Sequence, residues 1–241
     1  MGINISATNF VAFDDTHQRR VNTSLEGNPT VEMLGDIRVH HIFQRNNDGD
    51  LNRDGNPLVK AMKEMDGYRI VPMYREQFMA RARLIVEGVA GDLDVDTVMP
   101  MPSSYSFSRE IAVLVSDVIG RELLEPTFLR KRTIGEMLAQ YDGNVPAHLN
   151  DRLAKLYKHQ LGVWQGSKPG QLVSMKRIDT KIRSCFQPLC LTEDVPDLGG
   201  RRILIADDLL ATGSSIVGVA SLLQDGIGCP TPSAVCFLSG L

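Results

Sequence analysis

Several residue types and patterns are scarce in this sequence, and each scarcity excludes a class of protein. The 241 residues contain four cysteines and no Cys-x-x-Cys pair. Four thiols are too few for a disulfide scaffold at this length, so we expect reduced cysteines and a cytoplasmic protein. No stretch approaches the ~20 apolar residues that a membrane span requires. The 26 basic and 29 acidic residues give a net charge of −3, which excludes a strongly basic protein that coats nucleic acid.

Motifs for nucleotide triphosphates and for metals are also missing or incomplete. No Gly-x-x-x-x-Gly-Lys-Ser/Thr segment occurs, so a P-loop ATPase is not supported. Residues 50–55 match the opening of a calcium loop, but its twelfth position holds Ala61 instead of a bidentate acid. His40 and His41 are adjacent, and neighbouring residues of a strand point to opposite faces of the sheet. We therefore expect no metal site built from clustered side chains.

What is present, from about residue 94 onward, is an alternation of apolar strands and amphipathic helices. Short apolar runs at 95–101, 203–206 and 233–238 suit buried strands, and 107–123 and 214–223 carry apolar residues at helical spacing. Such an alternation predicts an α/β fold in which helices flank a parallel sheet.

The pattern of apolar and polar residues changes near residue 90, and this change predicts the domain organisation. Residues 1–90 are expected to form an N-terminal extension of strands plus a helix that packs on the core. Residues 91–241 are expected to form the main domain, with a hood or insertion at about 140–172. The polar stretch 44–57 is expected to be a surface loop.

The segment with the clearest chemistry is residues 202–215. It reads Arg-Ile-Leu-Ile-Ala-Asp-Asp-Leu-Leu-Ala-Thr-Gly-Ser-Ser. The apolar run at 203–206 predicts a buried strand that leads into two acids after its end, and the small residues that follow predict a tight loop that opens a helix. A helix N-terminus offers free N–H groups to a phosphate, whereas two carboxylates suit sugar hydroxyls or a divalent cation. A phosphorylated ribose requires both kinds of group, side by side.

This segment resembles the 5-phosphoribosyl-1-pyrophosphate (PRPP) signature of the type I phosphoribosyltransferases, whose core is a Rossmann-like parallel sheet. The resemblance implies that Asp207 and Asp208 hold the ribose hydroxyls. It also implies a cradle for the 5′-phosphate, formed by Ala211, Thr212, Gly213, Ser214 and Ser215. Ala211 stands where the family commonly has Thr, which removes a hydroxyl but keeps the backbone N–H.

Two further segments resemble the ComF-type subfamily. Residues 98–104, Val-Met-Pro-Met-Pro-Ser-Ser, look like the proline-containing first core strand of that group, and 183–186, Arg-Ser-Cys-Phe, look like an element of its hood. The likeness implies that Ser103, Ser104 and Arg109 lie near the diphosphate, and the basic residues 130–132 are further candidates. The sequence lacks the cysteine-rich zinc element with which ComF-type proteins usually begin.

The resemblance implies an enzyme that binds PRPP with Mg²⁺ and transfers the phosphoribosyl group to a base-like or other acceptor, releasing pyrophosphate. The Mg²⁺ is expected to arrive with PRPP, near Asp207 and Asp208, without a direct protein metal site, and we expect a homo-oligomer. The alternative is a non-catalytic module that senses PRPP or a nucleotide within a nucleic-acid-linked complex of DNA uptake or defence.

Overall fold

The computed structural model describes residues 1–46, 56–141 and 144–240. The strands, in chain order, are β1 (Gly2–Ile5), β2 (Phe10–Asp14), β3 (Val21–Asn22), β4 (Thr30–Leu34), β5 (Ile37–Arg45), β6 (Arg69–Ile70), β7 (Thr97–Pro100), β8 (Glu122–Leu123), β9 (Leu129–Lys131), β10 (Leu189–Leu191), β11 (Ile203–Leu209) and β12 (Ser233–Leu238). The α-helices are α1 (Pro57–Met62), α2 (Pro72–Val89), α3 (Phe107–Ile119), α4 (Ile134–Gln140), α5 (Asp151–Gln165) and α6 (Ser214–Ile227). The calcium-like stretch 50–55 lies outside the described residues.

A largely parallel sheet forms the centre of the molecule. Its strand order is β3-β5-β12-β11-β7-β8, with β4 also paired to β5. Neighbouring strands from β5 through β8 run parallel, whereas β3 and β4 pair antiparallel with β5. β11 lies in the middle of this order, so its carboxyl end is flanked by the ends of β7 and β12. The predicted α/β fold, with helices flanking a parallel sheet, is confirmed.

The central strands are apolar along their length because both faces of the sheet are covered. Helix α3 packs against β11 and β7. On that face the rings of Phe107 and Phe43 each lie 4.9 Å from the ring of Phe237, edge to face. On the opposite face Ile216 and Val219 of α6 share a core with Ile205. Packing on the two faces of the sheet therefore fixes α3 and α6. The first turns of both helices lie at the carboxyl edge of β11.

The N-terminal 90 residues are continuous with this sheet and core. β5 pairs with β12 over the register Val39↔Ala234 to Phe43↔Leu238. Phe78 of α2 is fully buried in the same core as the phenylalanines of the sheet. β1, β2 and β6 form a separate three-stranded sheet. The domain boundary near residue 90 stays a prediction, and the central sheet extends across it.

A third core lies in the segment between β8 and β11. The antiparallel pair β9–β10, helices α4 and α5, and the 3₁₀ turns Met175–Arg177 and Thr180–Cys185 build this part. Phe186 is at its centre, stacked on Tyr157 at 4.9 Å and edge-on to Trp164 at 4.9 Å. Residues 129–191, which contain the stretch 140–172 expected to be a hood or insertion, are called the hood below, and that expectation stays a prediction.

Two elements end at different residues from those predicted. α3 ends at Ile119, not Leu123, because Gly120 adopts the left-handed conformation with φ of 64°. β11 continues from Ala206 to Leu209, so both aspartates belong to the strand and not to the loop after it. Within the described residues no helix combines the length and apolar character needed to cross a membrane.

Candidate active site

The paired acids predicted from the sequence lie near the carboxyl end of β11. Asp208 is 8% exposed and Asp207 is partly buried. One buried hydroxyl serves both: Ser108 Oγ, in the first turn of α3, lies 3.2 Å from Asp207 Oδ1 and 3.4 Å from Asp208 Oδ2. The Asp208 N–H donates to Asp207 Oδ1 at 2.8 Å. The two carboxylates are thus held in fixed orientations by α3 and by the strand itself.

A lysine from the N-terminal part completes this group. Lys63 Nζ forms an ion pair with Asp208 Oδ2, and both side chains are only 12% exposed. The same ammonium lies 5.5 Å from the ring centre of Tyr105, in the loop after β7. Lys63 is not among the residues predicted from the sequence. No motif surrounds it, and it reaches Asp208 because α1 contributes to the core that it shares with the central sheet.

The electrostatics of the pair are unequal. Burial raises the pKa of Asp207, and the adjacent Asp208 carboxylate raises it further, whereas the Asp208 N–H and the Lys63 ammonium act in the opposite direction. Asp208 has Lys63 as its direct counter-charge, and Asp207 has none among the contacts described above. An incoming hydroxyl donor or cation that contacts Asp207 therefore relieves an unfavourable charge.

The loop after β11 forms the predicted small-residue turn. Gly213 precedes α6 with a φ of 71°, and an added Cβ there would lie 2.4 Å from Leu34 Cδ2. Thr212 Oγ1 and Ser214 Oγ are 2.9 Å apart. A cavity of ≈ 70 Å³ lies against this loop, bounded also by Asp207, Met175 and Arg183. All five residues predicted to cradle a phosphate line it: Ala211, Thr212, Gly213, Ser214 and Ser215.

The loop after β7 borders a second, larger cavity of ≈ 350 Å³ between the sheet edge and the hood. Ser103 and Ser104 line it together with Lys63, Lys131 and Ser215. The role of the two serines toward a diphosphate stays a prediction. The hood supplies most of its remaining wall: Val173, Ser174, Met175, Gln187, Pro188 and Leu189. Ser215 and Met175 border both cavities, so the phosphate loop and the larger cavity are contiguous.

Among the basic residues predicted to lie near a diphosphate, Lys131 lines this cavity, whereas Arg109 and Arg130 do not. Arg109 donates from Nε to Glu125 Oε1 at 2.7 Å and lines an adjoining cavity of ≈ 450 Å³. Arg130 is held by Glu136 through bonds of 2.9 and 2.6 Å. Lys131 borders the ≈ 350 Å³ cavity and the ≈ 450 Å³ cavity, and it donates to Ser104 Oγ at 3.3 Å. The role of Arg109 toward a diphosphate stays a prediction.

Side-chain metal clusters do not occur in the described part of the chain. No group of three or more His, Cys, Asp or Glu side chains there is arranged to hold a metal ion. His40 and His41 are both buried in β5, and Thr30 Oγ1 lies 3.3 Å from His41 Nδ1. Burial lowers the pKa of His41 to about 4, so its ring is neutral at physiological pH.

Comparison of the sequence with those of known proteins identifies relatives of this chain. Over 135 residues, 55% of the chain, it is 30% identical to an adenine phosphoribosyltransferase of Mycobacterium avium (strain 104), and the match covers 72% of that protein. An adenine phosphoribosyltransferase of Mycolicibacterium paratuberculosis is 29% identical over the same length, again with 72% of the relative covered. No family model matches the chain.

The chain belongs to the type I phosphoribosyltransferase family, and the sequence prediction of that family is confirmed. Its central sheet with flanking helices is compatible with the core of this family. The ComF-type resemblance within the family stays a prediction.

Proposed function

We propose that the protein binds PRPP together with Mg²⁺ and transfers its phosphoribosyl group to a nitrogenous base, releasing diphosphate. The single observation that carries the proposal is that Asp207, next to Asp208, and the loop with the left-handed Gly213 at the start of α6 line one cavity. Sugar-hydroxyl acceptors and phosphate donors stand side by side there, and a phosphorylated ribose requires both. The family relationship supports the same class of reaction.

The ribose and its 5′-phosphate have distinct sets of partners in this proposal. The carboxylates of Asp207 and Asp208 accept hydrogen bonds from the two ribose hydroxyls, while Ser108 fixes their orientation. The 5′-phosphate occupies the ≈ 70 Å³ cavity, where the positive end of the α6 dipole and the N–H groups of the loop favour an anion. Arg183 on the wall of that cavity adds a positive charge.

The residues present fit a Mg²⁺ ion that arrives with the substrate. Mg²⁺ prefers oxygen ligands, keeps several waters, and binds through one or two carboxylates together with substrate phosphates. Asp207 and Asp208 would lie near such an ion and could accept hydrogen bonds from its waters, and the described residues around them add no third acidic or histidine side chain. When bound, the ion would neutralise the negative charge that develops on the diphosphate as it leaves.

The ≈ 350 Å³ cavity is the proposed site of both the diphosphate and the acceptor. Its volume falls within the usual range for small-molecule sites. The side chains of Val173, Met175 and Leu189 give the hood side an apolar wall suited to a flat heterocycle. The relatives are named for adenine, so a purine base is the first acceptor to test.

In the proposed reaction the protein supplies positioning and charge more than covalent chemistry. A ring nitrogen of the base forms the bond to C1 of the ribose. The bond from C1 to the diphosphate oxygen breaks with its electron pair on the diphosphate, and the proton of the base nitrogen is released to solvent. Positive charge develops on the ribose ring meanwhile, so fixed carboxylates at its hydroxyls stabilise the transition state.

The proposal is tested by product analysis. The protein is incubated with PRPP, MgCl₂ and a panel of purine and pyrimidine bases, and both diphosphate and the nucleoside monophosphate are quantified. We expect equimolar release of the two products with at least one base. Tight PRPP binding without any release instead supports the alternative sensing role, and absence of PRPP binding contradicts both.

A further inference from the structure

We infer that Lys63, contributed by the N-terminal part of the chain, is a ligand of the diphosphate group. This inference rests on the proposed function. It adds a residue that lies about forty positions before the first motif at the site and that no sequence pattern marks.

The backbone of Lys63 is fixed at the end of α1, and its side chain lies beside the carboxylate pair. It caps the C-terminus of α1, and its N–H donates to the carbonyl oxygens of Ala61 and Val59. Its side chain is 12% exposed, with the ammonium on Asp208 and 5.5 Å from the Tyr105 ring centre. The aliphatic stem therefore emerges from a fixed point directly beside the carboxylate pair.

The cavity that Lys63 lines has the composition expected of a site for a multiply charged anion. Lys63 and Lys131 supply two ammonium groups, and Ser103, Ser104 and Ser215 supply three hydroxyls. The described residues that line the cavity include no aspartate or glutamate. An ammonium group is a compact, strongly charged donor on a flexible stem, well suited to phosphate oxygens.

The ion pair with Asp208 explains how Lys63 is available for this role. When ribose hydroxyls bind Asp208, they supply the hydrogen bonds that the ammonium otherwise provides. Rotation about the side-chain bonds of Lys63 then directs the ammonium along the cavity wall toward Ser103 and Ser104. Tyr105 lies in the same loop and remains next to the lysine stem. A purely structural counter-ion for Asp208 makes no contact with diphosphate.

Calorimetric titration distinguishes these two roles. Inorganic diphosphate with MgCl₂ is titrated in the presence of saturating ribose 5-phosphate, and ribose 5-phosphate is titrated alone, into the wild type, Lys63→Met and Lys63→Arg. We expect Lys63→Met to weaken diphosphate binding about tenfold or more, as loss of a charge-assisted contact implies, and to change ribose 5-phosphate affinity less than about twofold. Lys63→Arg keeps the charge and is expected to retain most of the diphosphate affinity.

The control is Lys60→Met, in the same helix. Lys60 pairs with Asp66 at 2.9 Å and lies 5.4 Å from the Tyr68 ring centre, so it has the same kinds of partner without lining the cavity. Affinities for both ligands are expected to stay at the wild-type level. Because Lys63→Met leaves Asp208 without its counter-charge, Lys63→Met/Asp208→Asn is also compared with Asp208→Asn alone. The same loss of diphosphate affinity is expected in that pair.

Equal weakening of both ligands by Lys63→Met, or unchanged diphosphate affinity in the comparison made on the Asp208→Asn background, overturns the inference. Failure of the wild type to bind ribose 5-phosphate and diphosphate overturns the proposed function itself. The two failures are therefore distinguishable.

Discussion

Asp207 and Asp208 are the residues at which the proposed binding site conflicts most with the stability of the fold. Adjacent carboxylates at a buried sheet edge repel each other, and only Asp208 has a lysine in direct contact. The raised pKa of Asp207 reflects burial first and repulsion by Asp208 second. Carboxylates arranged in this way gain from a ligand that brings hydroxyl donors or positive charge.

Replacing Asp207 by Asn is expected to stabilise the folded protein at neutral pH. The folded state binds the Asp207 proton more tightly than the unfolded state does, so the carboxylate destabilises the fold increasingly as the pH rises above about 4 and through the raised pKa. Asn keeps an acceptor for Ser108 without the charge. We expect a gain of about 1–2 kcal/mol in the free energy of unfolding at pH 8, and less at pH 5.

Urea denaturation at the two pH values measures this gain. Asp225→Asn, an exposed aspartate of α6, is the control and is expected to change the unfolding free energy little. A loss of stability on Asp207→Asn at pH 8 contradicts the electrostatic account of the pair.

At the scale of elements, the start of α6 depends on contact between two distant segments. Gly213 adopts the left-handed conformation and lies against Leu34 at the end of β4, where an added Cβ would come within 2.4 Å of Leu34 Cδ2. The loop therefore cannot move toward β4, and the residues at the start of α6 line the ≈ 70 Å³ cavity.

Gly213→Ala is expected to destabilise the protein and weaken ribose 5-phosphate binding. The variant incurs about 1 kcal/mol of backbone strain and about 1–3 kcal/mol from the overpacked contact. Gly200→Ala is the control, because Gly200 has a φ of 74° but open space around its Cβ position, so only the strain applies. Adding Leu34→Ala to Gly213→Ala removes the clash and is expected to restore part of the affinity.

Thermal unfolding and calorimetry of the three variants and the wild type decide the matter. Equal destabilisation by Gly213→Ala and Gly200→Ala would show that contact with Leu34 plays no part.

Local pattern predicted the elements of the site well but not their ends. β11 and α6 follow from an apolar run and a helical spacing within one short segment. The extension of β11 through Asp207 and Asp208 was not predicted, because polar residues at a strand end look like loop residues until the parallel neighbours are known. Ser108 was missed for a similar reason: it precedes Asp208 by 100 residues, and only the packing of α3 on β11 joins them.

On the scale of the whole molecule, the site is assembled from three parts of the chain. Lys63 comes from the end of α1, Ser103 to Ser108 from the loop and first turn after β7, and 207–215 from β11 and α6. The sequence predicted the third part and, in the second part, Ser103 and Ser104 but not Ser108, since each of these parts contains a recognisable pattern. The first part belongs to the predicted N-terminal extension. No local pattern near Lys63 indicates that β5 joins the central sheet or that α1 shares a core with that sheet.

A fragment of residues 91–240 is expected not to fold cooperatively. β12 loses its neighbour β5, and the core loses Phe43 and Phe78, which are fully buried in the intact chain. Removing a central sheet neighbour exposes backbone donors and acceptors along β12 as well as apolar surface. Circular dichroism during heating is expected to show no sharp transition for the fragment, in contrast to the full chain. A cooperative transition in the fragment would establish residues 1–90 as a separable extension.

The central claim is that a phosphoribosyl ligand binds at the Asp207–Asp208 edge, and one calorimetric comparison tests it most directly. PRPP with MgCl₂ is titrated into the wild type and into Asp207→Asn/Asp208→Asn, with folding of both checked by circular dichroism. Saturable binding to the wild type and its loss in the folded double variant are the predicted result. Equal PRPP affinity in both proteins would contradict the account.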